Sequence, residues 1–301
     1  MDFDMLGLKP RLVAKLAKHG IKDPTPIQAQ AIPHVMNGRD IMGLAQTGTG
    51  KTIAFGLPLS DALLRSGDKP AGGTARSLIL APTRELAKQI ADNLRMFTEG
   101  SHLSVALVVG GAGIRAQISK MQRGVDLLVA TPGRLIDLLD RRAISLSETR
   151  YLVLDEADQM LDMGFIHALR KIAPLLPQER QTMLFSATMP KNMAEIAATY
   201  LDNPVRIEVA RAGQAADKVT QVVHFVEQAQ KTKLLISLLD QHRTDRSLVF
   251  ARTKHGAERL MKNLVKAGFG ATSIHGNKSQ PQRGLIHHEC AALSAASHVS
   301  P

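Results

Sequence analysis

The sequence predicts an α/β protein built on a parallel sheet, followed by a second and shorter α/β series. Three observations carry that prediction. Short β-branched or aliphatic runs recur at 40–44, 77–81, 103–109, 125–130, 151–154, 182–186 and 205–209, and those that are apolar without alternation, such as YLVL at 151–154, are expected of strands buried on both faces. Helical patterns separate them, for example 83–97, with Glu85 in its first turn, and 189–200, where Pro190 suits a first-turn position. The turn AQTGTGKT follows the first run directly and opens a helix, which is the strand, turn and helix context of a phosphate-binding loop.

In chain order, residues 1–20 read as an amphipathic helix that starts acidic and lacks the apolar core of a signal peptide. The first domain is placed at 1–210. Residues 211–221, RAGQAADKVTQ, are small and polar and read as a linker. A partial second domain is placed at 222–283, with strands at 222–226, 247–251 and 271–274 and helices at 231–242 and 254–267. From Gly284 the sequence GLIHHECAALSAASHVSP has no useful periodicity, and 284–301 is expected to be an aberrant, disordered tail.

Composition bounds the function classes. The 301 residues are 44% hydrophobic and 22% charged, inside the globular range, and no apolar run reaches the roughly 18 residues of a membrane helix. No membrane association and a cytoplasmic location are therefore expected. The single cysteine, Cys290, excludes an internal disulfide. Net charge is +11, with +4 in residues 1–210 and +7 in residues 211–301, which favours a polyanionic partner. Aromatics are 3%, with no Trp. A nucleic acid would accordingly be held by its backbone and not on stacking platforms.

Two motifs carry chemistry. In Ala45, Gln46, Thr47, Gly48, Thr49, Gly50, Lys51 and Thr52, backbone amides of the glycine-rich turn converge on phosphates, Lys51 reaches the β/γ-phosphates and the Thr52 hydroxyl completes a Mg²⁺ shell. Ala45 departs from the glycine usual at the first position of such loops. DEAD, 155–158, follows the apolar run YLVL and supplies the acidic partner: Asp155 to hold Mg²⁺ through water, Glu156 to orient the attacking water. Two weaker patterns are set aside. Gly111, Gly113 and Ala116 mimic a dinucleotide fingerprint without its acidic residue, and His287, His288, Glu289 and Cys290 lack a second ligand pair.

With these motifs stand Phe3 and GIKDPTPIQ (20–28), PTRELA (82–87), Gly110 and Gly111, TPGR (131–134), SAT (186–188), LVFARTK (248–254) and IHGNKSQPQR (274–283). In that order and wording the chain resembles the DEAD-box RNA helicases of superfamily 2, closest to the bacterial RhlE-like branch, over about residues 1–283. The resemblance implies two RecA-like domains, the second incomplete, that close on single-stranded RNA with ATP and Mg²⁺ and separate short duplexes. It implies that Gln28 reads adenine, with an amide able to pair with N7 and N6, that Phe3 stacks on the adenine face, and that Thr25 shapes the turn presenting Gln28. Pro82, Thr83, Arg84, Gly110, Gly111, Thr131, Pro132, Gly133, Arg134, Arg252 and Arg283 become sequence-independent contacts to the RNA backbone. Ser186 and Thr188 become the hydroxyl link between the DEAD carboxylates and the RNA side, joining Lys51, Asp155 and Glu156 as the catalytic set. Ribosome-assembly or RNA-decay proteins are the implied partners, and the chain itself is expected to be a monomer. After Arg283 the family wording stops, and the change of character at Gly284 is read as a truncation or shifted frame that leaves out the arginine fingers.

Overall fold

In the computed structural model the described residues are 2–209, 220–279 and 282–286. They fall into two compact units, Met1–Ala215 and Ala216–Pro301. Most of the expected linker and the tail from 287 onward, with Cys290, lie outside the described residues.

The first unit is the predicted parallel sheet. Its seven strands are β1 (Ile41–Leu44), β2 (Ala75–Leu80), β3 (Val105–Val108), β4 (Val125–Ala130), β5 (Tyr151–Leu154), β6 (Gln181–Ser186) and β7 (Val205–Glu208). They run parallel in the order β3-β4-β2-β5-β6-β1-β7. A 3-10 turn, Phe3–Leu6, precedes α1 (Pro10–Lys18), α2 (Pro26–Met36), α3 (Lys51–Ser66) and α4 (Arg84–Thr98). The remaining helices are α5 (Ile114–Met121), α6 (Pro132–Asp140), α7 (Ala157–Asp162), α8 (Ile166–Ile172) and α9 (Lys191–Tyr200).

Side chains on a strand alternate between faces, so an apolar run supplies two cores at once. Ile79, Val129, Val153 and Phe185 pack with α1 to α4, whereas Leu78, Leu128, Leu152 and Leu184 pack with α5 to α9. Burial of this kind contributes about 25 cal/mol per Å² of apolar surface. It explains why runs without alternation become interior strands.

The sheet also carries a buried ionic network at the N-terminal end of β2. Arg76 Nη1 donates to Asp126 Oδ1 at 2.9 Å and to the Asp68 carbonyl at 2.7 Å. Asp126 Oδ2 accepts from the Ser104 amide at 2.8 Å and its hydroxyl at 2.9 Å. The network ties β2, β4 and the residue before β3 into one register.

The second unit departs from the expectation. Its two helices form, α10 at Lys231–Gln241 and α11 at Lys254–Lys266, the latter capped by Thr253, whose hydroxyl accepts from the Gly256 amide at 3.0 Å. The three expected strands do not: 222–226, 247–251 and 271–274 carry no strand pairing. Phe225 is 98% and Phe250 89% exposed. The physical reason is collective, because a parallel strand exists only through neighbours on both edges and helices on both faces. Among the described residues of this unit Leu264 is the one buried aliphatic side chain. A helical stretch at 282–286 contains Arg283 and continues past Gly284, where the sequence suggested a loss of order.

Replacing Arg76 with Met should lower the stability of the first unit by about 3–5 kcal/mol, the usual effect of leaving a buried charge without its partner. Urea denaturation followed by circular dichroism measures this, and the Arg76→Met/Asp126→Asn double variant should recover much of the loss.

Candidate functional site

Because every strand of the sheet is parallel, the loops that leave their C-terminal ends share one edge, where α/β proteins bind ligands. Along that edge the sheet order arranges the motifs as Gly110–Gly111 after β3, TPGR after β4, PTRE after β2, DEAD after β5, SAT after β6 and AQTGTGKT after β1. The sequence-distant segments at 45–52, 155–158 and 186–188 thus become neighbours at one end. Those at 82–84, 110–111 and 131–134 become neighbours at the other.

At the first end the turn between β1 and α3 is built on Gly48 and Gly50, with φ of 86° and 93°. A Cβ on Gly50 would stand 2.2 Å from Gln28 Nε2, so the close approach as well as the dihedral requires glycine. Ala45 is buried and its amide donates to the Ser186 carbonyl at 3.0 Å. That backbone bond continues the β1 to β6 ladder and makes no use of a side chain at the first motif position.

Gln28 lies in the first turn of α2 and is itself buried. Its Oε1 accepts from the Thr25 amide at 2.9 Å and its Nε2 donates to the Gly50 carbonyl at 3.0 Å, while the Thr25 hydroxyl donates to the Thr49 carbonyl at 2.8 Å. Each amide atom of Gln28 therefore has one hydrogen-bonding position engaged and one remaining. The resemblance marked Gln28 as the adenine reader and Thr25 as shaping the turn that presents it, and the structure ties both directly to the phosphate loop.

Phe3 is elsewhere. It is 1% exposed and packed among Leu6, Leu12, Leu16 and Ile27, leaving no ring face for an adenine. The stacking expectation is corrected to a core role, because a large aromatic beside an amphipathic helix gains more from burial in the α1–α2 core than from a solvated edge.

The charged centre lies between α3 and β5. Lys51 is 5% exposed, its Nζ makes no hydrogen bond among the described residues, and it stands 3.7 Å from Asp155 Oδ1. Asp155 is 2% exposed, and burial pushes its carboxyl up to about 6 against the opposing pull of Lys51. A desolvated ammonium with no acceptor and a desolvated carboxylate both gain from incoming counter-charge. The pair therefore fits a phosphate bound with a divalent cation, for which Asp155 and Thr52, in the first turn of α3, supply hard oxygen donors.

Glu156 adopts the left-handed region at φ 52° and ψ 52°, a conformation uncommon outside glycine and asparagine. Its Oε1 accepts from the Thr47 hydroxyl at 2.6 Å. Asp158, the last residue of DEAD, was not singled out from sequence. Its Oδ2 accepts from the Ala187 amide at 3.2 Å and from the Thr188 amide and hydroxyl, each at 2.9 Å. The Ser186 hydroxyl donates to the Thr188 carbonyl at 2.7 Å. The link between the two motifs thus runs through Asp158 and Thr188, with Ser186 shaping the SAT turn. The signal was present in the fourth letter of DEAD.

At the other end, the Thr83 hydroxyl caps α4 by accepting from the Leu86 amide at 3.2 Å. The Arg84 guanidinium lies against the glycine pair: a Cβ on Gly110 would be 3.0 Å from Nη2 and one on Gly111 2.2 Å from Nη1. The Thr131 amide donates to the Val108 carbonyl at 3.1 Å. Pro132 is buried at the start of α6, and a Cβ on Gly133 would meet open space. Arg134 Nη1 donates to the Ala112 carbonyl at 3.0 Å. Pro82 is buried behind this group. Arg252 is exposed in the second unit, and the Arg283 amide donates to the Ser279 carbonyl at 3.0 Å.

The raised Asp155 carboxyl gives a pH dependence of definite sign. Its folded-state value near 6 lies above the ordinary 3.8, so the nucleotide-free protein loses stability as pH rises through that window. A cation needs the ionised form. Affinity for nucleotide with Mg²⁺ should therefore fall by up to about tenfold per pH unit below pH 6, while affinity in EDTA stays flatter. Fluorescent-nucleotide titrations between pH 5 and 8 check this, and Asp155→Asn should remove the difference.

The comparisons with known proteins agree with this geometry. Residues 25–196 match the DEAD/DEAH box helicase family, and residues 230–294 match the helicase conserved C-terminal domain. The crystal structure of a DEAD box protein from the hyperthermophile Methanococcus jannaschii is 32% identical, with a TM-score of 0.64, and the match covers 98% of this chain and 78% of that one. The chain belongs to the DEAD/DEAH box helicases, ATP-hydrolysing RNA helicases by lineage.

Proposed function

We propose that this protein binds single-stranded RNA through its backbone and couples ATP hydrolysis to separation of short duplexes, in the manner of the RhlE-like branch its motif wording resembles. The observation that carries the reading is the Lys51–Asp155 pair, two buried opposite charges 3.7 Å apart with the ammonium making no hydrogen bond among the described residues. In this reading Lys51 neutralises the β/γ-phosphates and the amides of 46–50 cradle them. Thr52 and Asp155 would hold Mg²⁺, which when bound offsets charge on the phosphates. Gln28 uses the free position on each amide atom to recognise adenine. Glu156, released from Thr47, orients the attacking water. Asp158, Thr188 and Ser186 fix the turn beside it. The loops at 82–84, 110–111 and 131–134 take RNA phosphates, and Arg252 and Arg283 add basic contacts. A cytoplasmic location and RNA-processing partner proteins belong to the same proposal.

A second reading has its own observation. The segments 222–226, 247–251 and 271–274 are unpaired, and the first two are largely exposed, as they would be in an ATP- and RNA-binding fragment with little turnover. An arginine finger contributes about 10³–10⁵ in rate, and in this second reading none of Arg243, Arg246, Arg252, Arg259 and Arg283 acts as one.

One set of assays separates the readings. Lys51→Ala should abolish nucleotide binding, whereas Glu156→Gln should retain it and remove any hydrolysis. RNA-stimulated turnover by the 301-residue chain that Glu156→Gln abolishes supports the helicase reading. Tight ATP and RNA binding with negligible turnover supports the fragment.

Adenine selection is tested separately. Gln28→Ala should weaken ATP by about 1–3 kcal/mol, the range for one bidentate base contact, with a much smaller change for GTP. Equal losses for both nucleotides would show that Gln28 acts only by supporting the loop at Gly50.

A further inference from the structure

Residues 108–112 form a short path along the loop edge, and three of their carbonyls are pinned from different elements. The Val108 carbonyl accepts from the Thr131 amide at 3.1 Å and the Ala112 carbonyl from Arg134 Nη1 at 3.0 Å. Between them, the Val109 carbonyl accepts from Gln117 Nε2 on α5 at 3.0 Å. Among the described residues the amides of Gly110 and Gly111 donate to no protein acceptor. With φ of 75° at Gly111, the turn offers two free donors beside the Arg84 guanidinium, a concavity suited to an anion.

Gln117 is 6% exposed, and its Oε1 is buried with no hydrogen-bond partner. As a stabilising device this is a poor arrangement: one bond made is set against one desolvated acceptor, and the two effects roughly cancel. As a directional device it is effective, since the Val109 carbonyl is fixed immediately before the pair of free amides. We propose that Gln117 is a positioning residue, holding the Gly110–Gly111 turn so that its two amides stay aimed at one phosphate of the RNA backbone. The proposal rests on the RNA reading above and adds a residue that does not itself touch RNA.

The unsatisfied Oε1 makes the role separable from stability. Gln117→Met keeps the length of the side chain, removes the donor to Val109 and removes the buried orphan acceptor with it. In the full chain this variant should leave the thermal midpoint and the affinity for a fluorescent adenine nucleotide unchanged. Backbone ¹⁵N order parameters at residues 110–112 should fall, with those of β4 and β5 unaffected. Affinity for a single-stranded oligouridylate should fall about fivefold, the change that one net hydrogen bond corresponds to. Unchanged order parameters at 110–112, unchanged RNA affinity, or parallel losses of nucleotide affinity and thermal midpoint would each overturn the positioning role. Parent protein that binds nucleotide but no RNA would instead overturn the RNA reading, and the order-parameter measurement, which needs no RNA, would still decide whether Gln117 holds the turn.

Discussion

The constraint on which the first unit depends is the placement of β6 between β1 and β5 in a sheet whose strands all run the same way. Parallel strands send every motif loop to one edge. The order along that edge then decides which motifs meet. With β6 in the middle, the SAT turn touches the phosphate loop through the Ala45 amide and the Ser186 carbonyl, and touches DEAD through Asp158 and Thr188. The same order puts β3, β4 and β2 side by side, so that the loops at 110–111, 131–134 and 82–84 assemble apart from those at 45–52, 155–158 and 186–188. One topology thus produces two loop clusters in a continuous row.

The nucleotide end is built against local stability. Lys51 and Asp155 are both withdrawn from water without a direct hydrogen bond between them, and Glu156 sits in a left-handed conformation. Buried charges of this kind destabilise an empty site and are relieved by counter-charge. What holds them is the surrounding sheet, whose two apolar layers and Arg76–Asp126 network contribute where no chemistry occurs. Functional strain and structural stabilisation lie at opposite ends of the same strands. The hydrogen bonds from Gln28 to Gly50 and from Thr47 to Glu156 tie both side chains to the phosphate loop.

In the second unit, α10 and α11 formed where the periodicity placed them, because a helix satisfies its backbone hydrogen bonds within its own segment. The three aliphatic segments expected as strands did not, because a strand's hydrogen bonds belong to its neighbours. The same composition gives opposite outcomes in the two units: β2 is enclosed by β4 and β5, whereas 247–251 has no partner.

Much of the fold and of the site was determined by sequence alone. Apolar runs without alternation required an interior sheet, and the motif order carried the family, the phosphate loop and the acidic partner, since each of these depends on residue types at fixed local spacing. The tertiary structure decided the rest. It buried Phe3 in the α1–α2 core, because competition between core and ligand is settled by what surrounds a side chain and not by its position in a motif. It joined DEAD to the SAT turn through Asp158 and Thr188, with Ser186 bonded only within the turn, and it revealed Gln117 behind the glycine pair, eight residues from the carbonyl it holds. These contacts join residues distant in sequence or on opposite sides of a turn, and their geometry exists only once parallel strands have brought the loops to one edge.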